Sequence, residues 1–129
     1  MTSHSDTEAK ARILLVDDDL EILESVRIAL EANGYQVTTA RDGSQGLALA
    51  ERQDFDLLIL DMMMPKRSGF LVLETLRQLE KCPTRIIMVT ANEGNRHREY
   101  AEQLGVDEYL RKPFPMDVLL EAIRRVMNK

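Results

Sequence analysis

Two patterns of apolar residues alternate along the chain. Short runs of leucine and β-branched residues are typical of buried strands, and apolar residues that recur every three or four positions are typical of amphipathic helices. The predicted strands cover residues 12–16, 35–40, 55–60, 84–90 and 107–112. The predicted helices begin at or just after Asp19, Gly43, Gly69, Asn92 and Pro115. Asp19 and Asn92 are expected to cap helix N-termini, and Gly34 and Gly105 are expected to end helices.

The alternation of strand and helix predicts the order of the strands in a sheet. Parallel strands need long crossover connections, and helices make such connections compactly. Runs 12–16, 55–60 and 84–90 are almost wholly apolar, which favours the middle of the sheet, whereas 35–40 and 107–112 are more polar and suit its edges. Right-handed crossovers then favour the order 2-1-3-4-5. We therefore expect an α/β fold with a doubly wound, five-stranded parallel sheet of the (βα)5, flavodoxin-like type.

Size and composition limit the classes of protein that fit. A chain of 129 residues suits a single domain, predicted at residues 11–129 after a disordered, polar tail at 1–10. The net charge of -5 argues against direct binding of nucleic acid, and no apolar stretch is long enough to span a membrane. Cys82 is the only cysteine, so neither an internal disulfide nor a zinc site of several thiolates is expected. These features favour a cytoplasmic protein.

Polar residues cluster where the predicted strands end. Asp17 and Asp18 follow the first strand, Asp61 the third, and Lys112 the fifth, while Thr90 ends the fourth. In a doubly wound sheet the ligand crevice lies at the carboxyl ends of the strands, beside the first and third. The fold therefore predicts that these side chains converge on one edge of the sheet.

The chemistry of this set points to phosphoryl transfer. Three carboxylates close together repel one another unless they share protons or hold a cation, and with no His or Cys beside them Mg²⁺ is the expected ion. A lysine, a threonine hydroxyl and a bound Mg²⁺ together suit the charge of a transferring phosphoryl group. Asp61 is central in this arrangement and is the predicted nucleophile.

These motifs resemble those of a known family. The segments "LLVDDD", "LILDMMMP" with "SG" after it, "MVTA" and "YLRKPF" occur in the order and spacing of the receiver domain of two-component response regulators. The resemblance covers residues 12–128. It implies that Asp61 is the phosphoacceptor, and that Asp17 and Asp18 hold Mg²⁺ together with Asp61 and the backbone carbonyl of Met63.

The resemblance also implies how the site signals. Thr90 would be the switch hydroxyl, Lys112 the cationic partner of the phosphoryl group, and Tyr109 the switch aromatic. The backbone N–H groups of Met62 and Ala91 are expected to contact the phosphoryl group. The peptide bond between Lys112 and Pro113 is expected to be cis.

By this resemblance the protein is a phosphoacceptor in signalling rather than an enzyme, although it assists its own phosphorylation and dephosphorylation. The phosphoryl group would come from a sensor histidine kinase or a histidine phosphotransfer protein. The surface of the fourth helix, fifth strand and fifth helix would then control a downstream output protein or domain. A phosphorylation-linked homodimer stays open.

Three other functions fit parts of the pattern. A flavin carrier of the same fold needs a phosphate loop after the first strand, where this chain has three acids. A phosphatase with an aspartyl nucleophile usually has a second acid two residues later, a position held here by Met63. A phosphate-independent interaction module remains an alternative, although the full set of acids, hydroxyl and lysine disfavours it.

The run Met62, Met63 and Met64 also suggests a soft-metal site. Consecutive residues in a turn point in different directions, which argues against three sulfur atoms on one ion. The run is better interpreted as the edge of the site, with Met63 covering Asp61 and Met64 packed inward before Pro65.

Overall fold

The computed structural model describes residues 11–64, 68–80, 83, 85–91 and 95–128, with side chains at all of these except 95–97. The predicted tail at 1–10, the predicted cap Asn92, Cys82 and Pro65 lie outside the described residues.

Strands and helices alternate through the described part of the chain, as predicted. The strands are β1 (Arg12–Val16), β2 (Gln36–Ala40), β3 (Leu57–Asp61), β4 (Arg85–Thr90) and β5 (Glu108–Arg111). The helices are α1 (Leu20–Ala32), α2 (Gly43–Arg52), α3 (Gly69–Gln78), α4 (Asn95–Gln103) and α5 (Met116–Met127). The five strands form one parallel sheet in the order β2-β1-β3-β4-β5, which confirms the predicted fold class.

Several strand bounds differ from the prediction by one or two residues. β2 begins at Gln36 because the N–H of Tyr35 donates to Leu30 O at 3.1 Å in the turn that ends α1. β3 begins two residues later than predicted, because its pairing with β1 starts at Leu57. It also extends one residue further than predicted, through Asp61. The end of β3 therefore carries the predicted nucleophile within the sheet itself.

Two apolar layers hold the sheet between the helices. Buried residues of α1 and α5, among them Leu23 and Ile123, pack on one face of the sheet. Buried residues of α2, α3 and α4, such as Leu47, Leu73 and Ala101, pack on the other. The central strands are covered on both sides, which explains why their sequences are continuously apolar.

Local signals set the helix ends. The Asp19 carboxylate accepts from the N–H groups of Glu21 and Ile22 at 3.0 and 3.3 Å, which confirms it as the N-cap of α1. Gly34 and Gly105 have positive φ angles of 93° and 85° directly after α1 and α4, as their predicted roles require. Among the described residues no helix combines the length and apolarity that a bilayer crossing demands.

The packing predicts a contrast between two residues of α1. Leu30 is fully buried, whereas Ile28 is 54% exposed on the same helix. We expect Leu30→Ala to lower the free energy of unfolding by about 2–5 kcal/mol, because it removes buried methyl groups and leaves a cavity. The control Ile28→Ala should lower it by no more than about 1 kcal/mol. Urea unfolding followed by far-ultraviolet circular dichroism measures both, and equal losses would contradict the described orientation of α1.

Candidate phosphoacceptor site

The register of the sheet brings the acidic residues together. Val16 at the end of β1 lies opposite Leu60 of β3, so the next residues, Asp17 and Asp61, are neighbours on adjacent strands. Asp61 lies opposite Val89 of β4, which places Thr90 one position further along the same edge. Asp17 and Asp61 are each only 3% exposed and Thr90 is fully buried.

The three carboxylates form a compact set of oxygen donors. One oxygen from each of Asp17, Asp18 and Asp61 lies within 4.8 Å of the others. Asp18 is exposed, so the set opens toward solvent on that side. Asp17 is held in place because its Oδ1 accepts from the N–H of Asp19 at 2.9 Å. Hard oxygen donors with access to water suit Mg²⁺, which keeps several of its waters when it binds to proteins.

Lys112 supplies positive charge inside this cluster. Its Nζ lies 2.8 Å from Asp17 Oδ2 and 3.4 Å from Asp61 Oδ2. The backbone holds the residue at this edge, since the N–H of Lys112 donates to Thr90 O at 2.7 Å. Burial alone would lower the pKa of Lys112, but the hydrogen bond to Asp17 and the negative charges of Asp61 and Asp17 outweigh it and raise the pKa. The ammonium group is therefore retained.

Asp61 has a strongly altered acidity. Burial and the negative charge of Asp17 raise its pKa from 3.8 to about 7, against the opposing effects of Lys112 and of the Met63 N–H. The ionised and protonated forms of this side chain are thus of comparable stability near neutral pH, and a bound cation would favour the ionised form.

The loop after Asp61 departs from one prediction. The N–H of Met62 donates to Val89 O at 2.8 Å, so it continues the sheet and does not face the site. The N–H of Met63 instead donates to Asp61 Oδ1 at 3.2 Å. The backbone donor beside the Asp61 carboxylate is therefore Met63 and not Met62, because the β3–β4 hydrogen bonds extend one residue past Asp61. Local sequence patterns carry no signal for this difference, because it depends on how far the pairing of β3 with β4 continues.

The methionine side chains take separate positions. Met62 and Met64 are 1% and 8% exposed and belong to the apolar layer under α3, while Met63 is 53% exposed. The three sulfur atoms therefore do not share one site, and the inward packing predicted for Met64 is confirmed.

The two predicted switch residues, Thr90 and Tyr109, are joined by a side-chain hydrogen bond. Tyr109 is half-buried in β5, and its hydroxyl lies 3.8 Å from Met62 Sδ. Burial raises the pKa of Tyr109, against the effects of a hydrogen bond with Thr90 and of the positive charge of Arg98. The Arg98 guanidinium lies 5.9 Å from the centre of the Tyr109 ring, a contact to α4 that sequence reasoning missed. The peptide bond between Lys112 and Pro113 is cis, as expected.

A doubly wound sheet with this set of acids and a lysine at its carboxyl edge is the arrangement expected of a receiver-type signalling domain. Residues 13–124 match the family model described as the response regulator receiver domain. The chain therefore belongs to the response regulator receiver domain family.

Individual relatives agree with this assignment. The chain is 42% identical over 118 residues to the transcriptional regulatory protein CpxR of Escherichia coli (strain K12), an alignment that covers 92% of this chain and 50% of that protein. It thus spans about half the length of the curated relatives it matches. A response regulator receiver domain protein from Methanospirillum hungatei JF-1 has a similar structure, with a TM-score of 0.85, 35% identity and coverage of 91% of this chain and 93% of that one.

A third relative carries ligands. A response regulator from Burkholderia pseudomallei was solved with a phosphorylated aspartic acid, a calcium ion and citrate. It matches with a TM-score of 0.78 and 27% identity, over 86% of this chain and 65% of that one.

The raised pKa of Asp61 predicts a pH-dependent stability without metal. The folded protein holds a proton on Asp61 up to about pH 7, whereas the unfolded chain releases it near pH 4, so stability is lost as the pH rises through this window. Asp61→Asn removes that loss. We expect the variant to exceed wild type in unfolding free energy at pH 8 in EDTA, by about 4 kcal/mol at most, and to approach it at pH 4.

The control is Asp54→Asn, which changes the formal charge equally at an exposed position before β3. Urea unfolding at both pH values measures the three proteins. A difference between Asp61→Asn and wild type that is independent of pH would show that Asp61 ionises normally in the folded state.

Proposed function

We propose that Asp61 accepts a phosphoryl group from a phosphohistidine of a sensor histidine kinase or a histidine phosphotransfer protein, in a reaction that depends on Mg²⁺. The observation that carries this proposal is the surroundings of Asp61 at the end of β3. Its carboxylate is almost buried, receives a hydrogen bond from the Met63 N–H, and has the Lys112 ammonium 3.4 Å away. Asp17 and Asp18 provide the remaining oxygen donors.

The transfer is a substitution at phosphorus. An ionised Oδ of Asp61 attacks the phosphorus atom, the P–N bond to the donor imidazole breaks, and its electron pair returns to that nitrogen. Lys112 favours the ionised form of Asp61 and would neutralise charge on the incoming phosphoryl oxygens. When bound, Mg²⁺ would supply further positive charge to those oxygens, held by Asp17, Asp18, Asp61 and the Met63 carbonyl.

Backbone donors complete the proposed site. The Met63 N–H already faces Asp61 and would donate to a phosphoryl oxygen once the carboxylate is esterified. Ala91 follows directly on Thr90 at the end of β4, and its N–H is the second proposed donor. Hydrolysis would reset the site: water attacks the phosphorus, the bond between phosphorus and the Asp61 oxygen breaks with its electron pair left on the carboxylate, and inorganic phosphate leaves with the oxygen and protons of that water.

The phosphoryl group would act as a switch through its charge. It brings about -1.5 to -2 at pH 7 and three acceptor oxygens to the end of β3. The Thr90 hydroxyl and Lys112 would move toward those oxygens, and Tyr109 would lose its hydrogen bond with Thr90. Because the Arg98 guanidinium on α4 lies 5.9 Å from the centre of the Tyr109 ring, a movement of that ring would change this contact with α4.

The surface formed by α4, β5 and α5 is therefore the proposed output surface. Relatives such as CpxR are named as transcriptional regulators and are about twice as long as the aligned region. We propose that this surface controls an output domain or partner of that kind, without direct contact between the receiver domain and nucleic acid. A phosphorylation-linked homodimer and a cytoplasmic location stay predictions.

The phosphoacceptor assignment predicts a mass change. Incubation with acetyl phosphate and Mg²⁺ should add one phosphoryl group to the wild-type protein and to the control Asp54→Asn. Asp61→Asn, or wild type in EDTA, should gain none, because each lacks a required component of the site. Intact-mass spectrometry detects the adduct, and an equal adduct on Asp61→Asn would place the phosphoryl group elsewhere.

The switch assignment predicts a distinction between two substitutions of Thr90. Phosphorylation of wild type and Thr90→Ser should shift the amide resonances of Tyr109 and of α4, since both keep the hydroxyl that binds the phosphoryl group. In Thr90→Ala these shifts should fall to about a tenth or less, while the mass adduct still forms. Two-dimensional NMR measures the shifts, and full shifts in Thr90→Ala would remove Thr90 from the proposed mechanism.

A further inference from the structure

Gly69, the first residue of α3, packs directly against the backbone of Asp61. Its N–H donates to Met62 O at 2.9 Å. A Cβ atom at this position would lie 2.3 Å from Asp61 O, 2.9 Å from Met62 Cα and 3.0 Å from the Asp61 carbonyl carbon. All three contacts are to backbone atoms, which cannot move aside by a change of side-chain rotamer. A residue larger than glycine therefore has to displace either α3 or the peptide between Asp61 and Met62.

The opposite side of that peptide is also held. The Met62 N–H donates to Val89 O at 2.8 Å, so the peptide is fixed by β4 on one side and by the start of α3 on the other. Displacement toward β4 is opposed by the buried sheet, and displacement of α3 separates its apolar face from the core. The first displacement reorients the backbone between Asp61 and Met63 directly, and the second removes the hydrogen bond from the Gly69 N–H that holds Met62 O in place.

The site depends on that orientation. The hydrogen bond from the Met63 N–H to Asp61 Oδ1 is already 3.2 Å long, and Lys112 lies 3.4 Å from Oδ2. Both distances are near the upper limit for hydrogen bonds, so a change of a few tenths of an ångström removes them.

We infer that Gly69 is a positioning residue for phosphoryl transfer, which fixes the Asp61 carboxylate and the Met63 N–H by letting the first turn of α3 contact the peptide between Asp61 and Met62. The kinetic part of this inference rests on the function proposed above. The geometric part is independent of it.

The chain offers a matched glycine. Gly46 in α2 also lies against a strand end, but a Cβ there would meet side-chain atoms of Val16, the nearest being Cγ2 at 3.0 Å. A side-chain methyl group can rotate away, whereas a backbone carbonyl cannot. Val72→Ala is a second control, because it removes buried apolar volume from α3 without adding an atom near Asp61.

The experiment compares Gly69→Ala, Gly46→Ala and Val72→Ala with wild type. The rate constant for phosphorylation by acetyl phosphate at saturating Mg²⁺ is measured as a function of donor concentration. We expect Gly69→Ala to lower the rate constant at saturating donor by about tenfold, with the half-saturating donor concentration changed by less than about twofold. Both controls should keep their rate constants within about twofold, because lost stability lowers the folded fraction and leaves the reaction of folded molecules unchanged.

The amide resonance of Met63 provides a readout that does not involve phosphorylation. It should move in Gly69→Ala and stay in place in Val72→Ala. A rate constant equal to that of Val72→Ala, with the Met63 resonance in place, would overturn the inference. If wild type itself gains no phosphoryl group on Asp61, the proposed function fails, and the Met63 resonance alone decides the role of Gly69.

A further variant covers the case in which Gly69→Ala does not fold. Ser68 caps α3 by accepting from the Leu71 N–H at 3.2 Å, so Ser68→Ala loosens the same first turn at a cost of about 1 kcal/mol in stability. We expect it to lower the rate constant by about threefold and to move the Met63 resonance. No change in either quantity would also overturn the inference.

Discussion

Two nearly buried carboxylates, Asp17 and Asp61, are held side by side because β1 and β3 run parallel and in register. The sheet fixes the separation of the two strand ends, so their repulsion is relieved by a proton on Asp61 or by nearby positive charge and not by movement of the strands. Burial and this repulsion together raise the pKa of Asp61 to about 7. Positive charge is required at the same edge for the ionised form to persist, and Lys112 meets that requirement from the end of β5. A cation held by the same oxygens would meet it further.

The two apolar layers stabilise the fold against the unfavourable placement of Asp17 beside Asp61. Each face of the central strands is sealed by helices whose buried residues have almost no exposure, among them Leu30 and Leu73. This packing contributes stability that offsets the unfavourable carboxylate pair. Asp17 and Asp61 are each 3% exposed, so water screens the interaction between their charges only a little.

Much of this could be predicted from the sequence, because it depends on local patterns and on general rules of topology. The apolar runs of β1, β3 and β4 identify the central strands, and parallel topology then brings Asp17, Asp61 and Lys112 together. The donor role of Met63 could not be found by local patterns, because it depends on how far the β3–β4 pairing continues. Local patterns also miss two contacts between distant segments, that of Gly69 with Asp61 and that of Arg98 with Tyr109. The distance between the segments in each contact is set by tertiary packing and not by local sequence.

The unequal position of Lys112 suggests how the site can hold two states. Its ammonium lies closer to Asp17, at 2.8 Å, than to Asp61, at 3.4 Å, so the described structure favours the carboxylate that is not the proposed acceptor. Esterification of Asp61 would move negative charge outward, onto phosphoryl oxygens beyond the present carboxylate. Those oxygens would then compete with Asp17 for the same lysine. The N–H of Lys112 donates a hydrogen bond to Thr90 O. A shift of the lysine toward the phosphoryl group would therefore also pull on the end of β4, where the proposed switch residue Thr90 is located. A competition between two anions for one cation thus accompanies the movement of Thr90 and Tyr109 in the proposed switch.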